Sequence, residues 1–157
     1  MVQPMIDFSF SLNRDEFDAH MPGSITVHTA LKLFERSRSN YLGGPDKLRQ
    51  MQEEDGLLWV VTSVDDMQIY SHKKKLKPGQ SVNVKSTFET KRRGMIIECR
   101  QRIETPENVG YEKGGTLIAE GVISLCAIDR KRGRPMSKVP DHVRAIIERN
   151  TDWITQQ

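Results

Sequence analysis

One long helical repeat of apolar residues, with strand-like segments on both sides, most constrains the fold of this chain. Val27, Ala30, Leu31 and Phe34 recur at the spacing of a single helix face, and Gly43-Gly44-Pro45 ends the pattern. The predicted order of elements is a strand, this helix, four strands and a terminal helix. A single antiparallel sheet wrapped around one central helix satisfies that order, so we predict an α+β fold.

Two kinds of apolar pattern predict the strands. The predicted strands cover residues 6–12, 57–64, 82–88, 95–103 and 116–128. Alternation with a period of two in the first and third of these indicates strands buried on one face. The segment 116–128 is apolar on both faces, so we expect it to be central in the sheet. The charged stretch 46–55 predicts a short helix or a lid.

Length and composition indicate one globular domain. The chain has 157 residues, of which 36% are hydrophobic and 29% are charged. We assign residues 1–157 to a single domain, with a core at about 6–140 and an amphipathic helix at about 141–154. A single curled sheet leaves an edge uncovered, and a second subunit usually covers such an edge. We therefore predict a homodimer or a dimer of dimers.

Cysteine usage and the termini argue against metal sites, secretion and membranes. Cys99 and Cys126 lie in apolar runs without metal-ligand spacing, so we expect two buried reduced thiols, no metal and no cofactor. The N-terminus lacks the basic and apolar regions of a signal peptide, and no run approaches the roughly 18 apolar residues of a membrane helix. These features predict a cytoplasmic protein.

The charge pattern favours an anionic small molecule or protein over nucleic acid. Net charge is only +3, and no basic strand is rich in aromatic residues. The basic residues nevertheless cluster at 73–75, 91–93 and 130–134. Each cluster alone is typical of a solvated surface, but together they predict an anionic partner.

The segment His20-Met-Pro-Gly23 predicts a tight turn that leads into the long helix. A helix start presents backbone N–H groups without partners and a positive dipole end. A carbonyl placed against the N–H groups of residues 25–28 would be polarised as it gains oxyanion character. His20 is the candidate general base, because an imidazole can exchange a proton near neutral pH.

The order and spacing of several motifs resemble the hot-dog-fold acyl thioesterases over about residues 6–140. The motifs are the turn at His20 and Gly23, Phe34-Glu35 with Arg38, Arg93-Gly94, and Asp129 with Arg134-Pro135. The resemblance is to the branch that contains 4-hydroxybenzoyl-CoA, small acyl-CoA and acyl-carrier-protein thioesterases. It implies hydrolysis of an acyl thioester of coenzyme A or of an acyl carrier protein, bound at the interface of a dimer.

The resemblance also implies roles for residues at the turn. Gly23 falls on the turn glycine, and His20 falls where this branch often has an aspartate, so a covalent carboxylate mechanism would have to change. Thr26 falls on an asparagine position of the acyl-carrier-protein branch. Gly23, Thr26 and Val27 would form the turn and the oxyanion site, although Thr26 or Ser24 could equally be a plain helix cap.

A second set of candidates lies on the helix itself. His28 and Glu35 are seven residues apart, which places both on one helix face two turns apart. They form an alternative catalytic constellation. For Glu35 and Arg38, three residues apart, an ordinary intrahelical ion pair is the simpler expectation.

Arg93 and Lys91 are the candidate ligands for carrier phosphates, because arginine can hold phosphate through two hydrogen bonds. An acidic acyl carrier protein would instead use broader basic patches that include Lys73 to Lys75. Two other functions stay open: a non-catalytic binder of acyl thioesters, and a hot-dog hydratase that uses His20 and Glu35.

Overall fold

The computed structural model describes the backbone of residues 5–70, 75–106 and 115–155, and the side-chain surroundings of 7–70, 75–106 and 115–148. Within these ranges the helices are α1 Val27–Tyr41, α2 Pro45–Glu54 and α3 Asp141–Thr155, with a short 3-10 helix at Arg14–Glu16. The strands are β1 Met5–Ser11, β2 Leu57–Ile69, β3 Ser81–Lys91, β4 Ile96–Glu104, β5 Leu117–Asp129 and β6 Arg134–Pro135. The predicted order of the main elements is confirmed.

The strands form one antiparallel sheet in the order β1-β3-β4-β5-β2, and β6 pairs with the end of β5. As predicted, the last long strand, β5, is an interior strand with a long partner on each side. The middle position in the order belongs to β4. β2 is longer than predicted, because it extends to Ile69 and is as long as β5. It lies at the edge of the sheet, where its outer side pairs with no described strand.

The central helix α1 packs its apolar face directly onto the concave face of the sheet. Leu33, Phe34 and Tyr41 on that face are almost completely buried. The ring of Tyr41 stacks on Phe88 of β3, with 3.7 Å between ring centroids and 3° between planes. Burial of each such side chain contributes about 1.5–3 kcal/mol, so this contact is a main source of stability.

Gly121 in the middle of β5 allows α1 to approach the sheet closely. A β-carbon at Gly121 would lie 3.5 Å from the Phe34 ring and 2.9 Å from the sulfur of Met67. The distance to Phe34 is an ordinary van der Waals contact, whereas the flexible Met67 side chain would have to shift to admit a β-carbon.

Alternation in β3 and β4 matches the sequence prediction. Val82, Val84 and Phe88 of β3 face α1, while the residues between them are more exposed. On β4 the inward positions include a polar residue, Gln101, which is as buried as its apolar neighbours. This polar side chain in the core is the starting point of the site described below.

The other two helices, α2 and α3, also bury side chains in the core. Residues 46–55, predicted as a helix or a lid, form α2, and Met51 is buried beneath it. The terminal helix is present as α3, where Val143 and Ile147 are buried and the Ile147 carbonyl accepts a hydrogen bond from the Tyr41 hydroxyl. Most of the predicted polar loop at 105–115, and Lys73 and Lys74 of the first basic cluster, lie outside the described residues.

Both cysteines are buried and unpaired, which confirms the prediction of two buried thiols. Burial raises the pKa of the Cys99 thiol to about 12, against an ordinary value of 9.0, so this thiol stays protonated near neutral pH. Among the described residues, no helix is both long enough and apolar enough to cross a membrane.

Candidate functional site

The turn before α1 is held by backbone hydrogen bonds and by one glycine. The N–H of His20 donates to the Asp18 carboxylate at 2.8 Å, and the N–H of Asp18 donates to the carbonyl of Ser24, also at 2.8 Å. Gly23 has φ of 85° and accepts a hydrogen bond from the N–H of Leu76. The turn glycine is therefore required by its backbone conformation.

Thr26 is the N-cap of α1, as one of the two sequence-based alternatives predicted. Its hydroxyl accepts the N–H of Thr29 at 3.0 Å, and its carbonyl accepts the N–H of Ala30. Within the described part of the chain, the N–H groups of Val27 and His28 have no hydrogen-bond partner. They are the open donors at the helix start, where the helix dipole is positive.

A groove of about 1000 Å³ runs along α1 between this helix, α2 and β2. It is lined on the α1 side by His28, Leu31, Lys32, Glu35, Arg38, Ser39 and Leu42. Its other walls are Pro45, Leu48, Arg49 and Gln52 of α2, Leu57 to Trp59, Val61 and Val64 of β2, and Ile123 and Leu125 of β5. The walls are mostly aliphatic, which suits an apolar ligand.

The open side of the groove is the inner face of the edge strand β2. Val61 and Val64 project toward the α1 side of the sheet, because they pair in register with the inward residues Leu125 and Ile123. They remain 45% and 44% exposed. Apolar side chains on the inner face of a sheet are normally covered. Because Val61 and Val64 are not, they form an exposed hydrophobic surface at the edge of the sheet.

A buried arginine lies in this groove. The side chain of Arg38 is buried, with 7% of the residue exposed, and its guanidinium donates a 3.0 Å hydrogen bond to the side-chain carbonyl of Gln101. The expected ion pair between Glu35 and Arg38 is wrong: no such pair forms among the described residues. Glu35 is exposed at the mouth of the groove, whereas Arg38 turns inward to meet β4.

The amide of Gln101 is fixed on all sides. Its NH₂ group donates to the carbonyl of Phe34 at 3.1 Å and to the hydroxyl of Ser86 at 3.0 Å, while its oxygen accepts from Arg38. Ser37 lies 3.4 Å from Ser86 and extends the network. This network holds the guanidinium in one position, and burial lowers the pKa of Arg38 from its ordinary value.

The structure brings together some of the predicted catalytic residues. His28 and Glu35 line the same groove, as their spacing on one helix face predicted. His20 is exposed in the turn, and it is not among the residues that line the groove. Within one chain, the residues at the groove are therefore the alternative constellation, and the role of His20 stays a prediction.

Lys91 and Arg93 lie in the hairpin that joins β3 and β4. Arg92 and Arg93 both have positive φ, 51° and 57°, which is a backbone conformation that favours glycine. The side chains of both residues are exposed. Lys91 pairs with Glu98 at 3.1 Å, whereas Arg93 forms no ion pair with any described residue. Arg93 is thus the freer of the two cations.

The hairpin and the start of α1 lie at opposite ends of the helix. Ser37 contacts Ser86, and Tyr41 stacks on Phe88, two residues closer to the hairpin. The helix therefore runs toward Arg93, and its open N–H groups lie at the far end. Trp59 lies at the hairpin end of the groove, since it pairs with Ala127, whose N–H donates to the carbonyl of Met95.

Two features in or beside the groove were not singled out from the sequence. Gln101 stands at an inward position of an alternating strand, between Cys99 and Ile103, and that polar interruption was a usable signal. The indole N–H of Trp59 is buried and has no hydrogen-bond partner among the described residues. No sequence pattern could have indicated it. The described residues hold no group of three or more His, Cys, Asp or Glu side chains that could bind a metal ion.

The arrangement of one long helix in a curled antiparallel sheet is the hot-dog fold, as comparison with solved structures confirms. A 1,4-dihydroxy-2-naphthoyl-CoA thioesterase from Synechocystis superposes with a TM-score of 0.72 at 11% identity, over 91% of this chain and 95% of that chain. No protein-family model matches this sequence, and neither does any curated protein. The fold prediction is therefore confirmed on structure alone.

Two further solved structures share the fold and carry thioesterase names. The dynemicin thioesterase, studied with a bound polyene, has a TM-score of 0.71 at 18% identity over 93% of this chain and 96% of that chain. A 12:0-ACP thioesterase from Umbellularia californica has a TM-score of 0.64 at 13% identity, over 96% of this chain and 55% of that chain. Identities this low relate the chains by their fold.

Proposed function

We propose that this protein hydrolyses an acyl thioester bound in the groove along α1. The fold is shared with thioesterases that are named for CoA and for acyl-carrier-protein substrates. The observation that carries the proposal is that His28 lines a mostly aliphatic groove and adjoins Val27 at the helix start, where the N–H groups of both residues have no partner among the described residues. An apolar groove beside an oxyanion site and a base is what acyl transfer to water needs.

In the proposed mechanism the thioester carbonyl oxygen accepts hydrogen bonds from the N–H groups of Val27 and His28. The His28 imidazole removes a proton from a water molecule, whose oxygen attacks the carbonyl carbon. The tetrahedral intermediate places its negative charge against the helix start. Its collapse breaks the carbon–sulfur bond, the imidazolium returns the proton to the leaving thiolate, and the carboxylic acid is released.

Glu35 is the second candidate base in the same groove. It lies two helical turns from His28, about 10 Å along the axis, so the two side chains do not form a hydrogen-bonded pair through the helix alone. The Glu35 carboxylate could act on a thioester that binds deeper in the groove. Because His28 is adjacent to the open N–H groups, we assign the base to His28 and treat Glu35 as its competitor.

We further propose a homodimer, alone or as a dimer of dimers, in which the β2 edges of two subunits pair. The observation in support is that the outer side of this long edge strand pairs with no described strand, together with the exposure of Val60, Val61 and Val64. A second subunit would cover the open side of the groove. In such a dimer, the His20 side chain of one subunit could also reach a site that the two subunits form together.

The same arrangement suggests how the carrier binds. If the carbonyl lies at the start of α1, the hairpin with Arg93 is at the wrong end of its own groove. The hairpin of the second subunit is then the one that holds the carrier's phosphates. Coenzyme A and acyl carrier protein both offer phosphate at that point, so both are candidate carriers. The cytoplasmic location stays a prediction from the sequence.

The proposal is tested by thiol release from a panel of acyl-CoA and acyl-carrier-protein substrates, with three single variants. His28→Ala should lower kcat about 10²–10⁴-fold with little change in KM. Glu35→Gln and His20→Ala, matched in that neither alters the helix start, should retain most activity. Collapse in Glu35→Gln alone would move the base to Glu35, and collapse in His20→Ala alone would restore the assignment made from the sequence.

Two alternatives have distinct signatures in the same assay. Tight binding of acyl-CoA without thiol release in the wild-type protein would indicate a non-catalytic binder, and would reject hydrolysis. Addition of water to a 2-enoyl thioester, followed by ultraviolet absorbance, would indicate a hydratase. Circular dichroism of each variant separates loss of chemistry from loss of fold.

A further inference from the structure

The guanidinium of Arg38 is a buried cation that forms no ion pair with any described residue. Burial lowers its pKa, although the Glu35 carboxylate on the same groove acts on it electrostatically in the opposite direction. Among the described residues it makes one hydrogen bond, to the neutral amide of Gln101, and no ion pair. A guanidinium has five N–H donors, so most of its hydrogen-bonding capacity is unused by the protein. Keeping such a charge out of water is costly unless a partner supplies strong acceptors.

The Arg38 side chain also lines the groove, among aliphatic walls that include Leu42 and Ile123. A second observation points the same way: the buried indole N–H of Trp59, also a residue of the groove wall, lacks an acceptor. A groove for plain hydrocarbon chains has no use for either donor. The N–H groups of Arg38 that Gln101 does not use remain accessible from the groove, and the indole N–H of Trp59 lies in the wall at the hairpin end. The Arg38 donors indicate a ligand that brings an oxygen atom into the groove.

We propose that Arg38 selects acyl groups that carry a hydrogen-bond-accepting oxygen, such as a hydroxyl or keto group, far from the thioester. This inference rests on the proposed function, because it places the thioester carbonyl at the start of α1. Arg38 lies eleven residues along the helix from Val27, and its side chain leans back toward the helix start. The guanidinium is therefore about 10–16 Å from the carbonyl. An extended acyl chain of roughly ten carbons spans that distance.

The acyl group, and not the carrier, is the part that meets Arg38. The carrier's phosphates are strongly hydrated and stay outside an apolar groove, near exposed cations such as the hairpin arginines. The acyl group is the segment that can lie wholly between α1 and β2. Gln101 is then a positioning residue: with its amide locked by Phe34 and Ser86, it aims the guanidinium at one point of the groove.

The test uses thioether analogues of decanoyl-CoA and ω-hydroxydecanoyl-CoA, which cannot be hydrolysed, with binding measured by titration calorimetry. The wild-type protein should bind the hydroxylated analogue about 10–100-fold more tightly, as expected for a hydrogen bond to a charged group. Arg38→Met, which keeps an unbranched apolar stem but is shorter and has no N–H donors, should lose that preference and bind the decanoyl analogue at least as well.

A second variant covers the case in which Arg38→Met does not fold. Gln101→Glu supplies an internal carboxylate to Arg38 at nearly unchanged volume, gives up the hydrogen bond to the Phe34 carbonyl, and should likewise abolish the preference. Equal affinity of the wild-type protein for both analogues would overturn the proposal. So would an equal loss for both in Arg38→Met, since that result assigns the guanidinium to the carrier arm they share.

Failure of hydrolysis and failure of this inference give different results. Selective binding of the hydroxylated analogue, with no turnover of any thioester, would keep the specificity proposal and reject the proposed activity. Turnover of decanoyl-CoA and ω-hydroxydecanoyl-CoA at equal kcat/KM, together with equal binding of their analogues, would keep the proposed activity and reject the specificity proposal.

Discussion

Gly23 packs against Lys75 so closely that a β-carbon on Gly23 would lie 2.9 Å from the β-carbon of Lys75 and 3.2 Å from its Cα. The contact joins the turn before α1 to the segment that leads into β3, and the N–H of Leu76 donates to the carbonyl of Gly23 beside it. Two separate constraints therefore act on one residue. The backbone needs positive φ, and the neighbouring chain leaves no room for a side chain.

We expect Gly23→Ala to destabilise the protein by about 1–3 kcal/mol, because strain at positive φ and the clash with Lys75 add together. Urea denaturation measures the change. Gly79→Ala is the matched control, since Gly79 has nearly the same φ, 86°, but open space around it. If the two variants lose equal stability, the contact with Lys75 is unimportant.

The exposed edge of β2 leads to a prediction about assembly. Val60 is 42% exposed on this strand and is not among the residues that line the groove. Val60→Lys should raise the dissociation constant of the dimer about 10–100-fold, because it removes apolar area and places like charges near each other across the pair of edges. Sedimentation equilibrium measures the constant.

Thr90→Lys, on an exposed position of the interior strand β3, is the control for that experiment and should leave assembly unchanged. An unaltered dissociation constant in Val60→Lys would place the interface elsewhere. A wild-type protein that is monomeric at micromolar concentration would reject the dimer itself.

A third prediction concerns carrier recognition by the β3–β4 hairpin. Arg93→Ala should raise KM for acyl-CoA by the equivalent of about 1–3 kcal/mol, because a charge-assisted hydrogen bond to phosphate is lost. Lys91→Ala should have a smaller effect, since Lys91 is already paired with Glu98. Steady-state kinetics of thiol release measure both.

The control is a change of substrate. An acyl N-acetylcysteamine thioester has the same acyl group and no phosphate, so its KM should not respond to Arg93→Ala. An equal rise for both substrates would mean that Arg93 supports the fold of the hairpin and does not contact the carrier.

The buried thiol of Cys99 predicts how stability depends on alkaline pH. Burial raises the pKa of Cys99 to about 12 from 9.0. Above pH 9.0 the unfolded chain releases a proton that the folded chain keeps, so the free energy of unfolding falls as pH rises toward 12. Below pH 9.0 this contribution is fully present. Urea denaturation near pH 8 and near pH 10.5 should show the fall, and Cys99→Ala should lack that part of it. An identical pH dependence in Cys99→Ala would contradict the prediction.

Local patterns made several parts of the fold predictable. The helix from Val27 was visible because apolar residues recur at helical spacing and Gly43 ends the run. β3 was visible because Val82, Val84 and Phe88 alternate with polar residues. Thr26 was a candidate cap because its type and position suit a helix start. Each of these depends on residues close together in the chain, which is the range that periodicity and capping describe.

The candidate site was predictable only in part. The spacing of His28 and Glu35 placed both on one face of α1, and the structure puts both in the groove. The same local reasoning was wrong for Arg38, where an intrahelical partner was expected. Its partner, Gln101, lies 63 residues away, so the choice depended on how β4 passes beneath the helix.

The sequence by itself determined the helix α1, the strands that surround it, the turn that requires Gly23 and the burial of both cysteines. Only the tertiary structure decided that β2 is an edge, that a groove remains between β2 and α1, and that Arg38 turns into this groove while His20 stays outside it. The physical reason is that periodicity fixes which face of an element is apolar. Which faces meet, and what space is left between them, is fixed by strand order, register and the curl of the sheet.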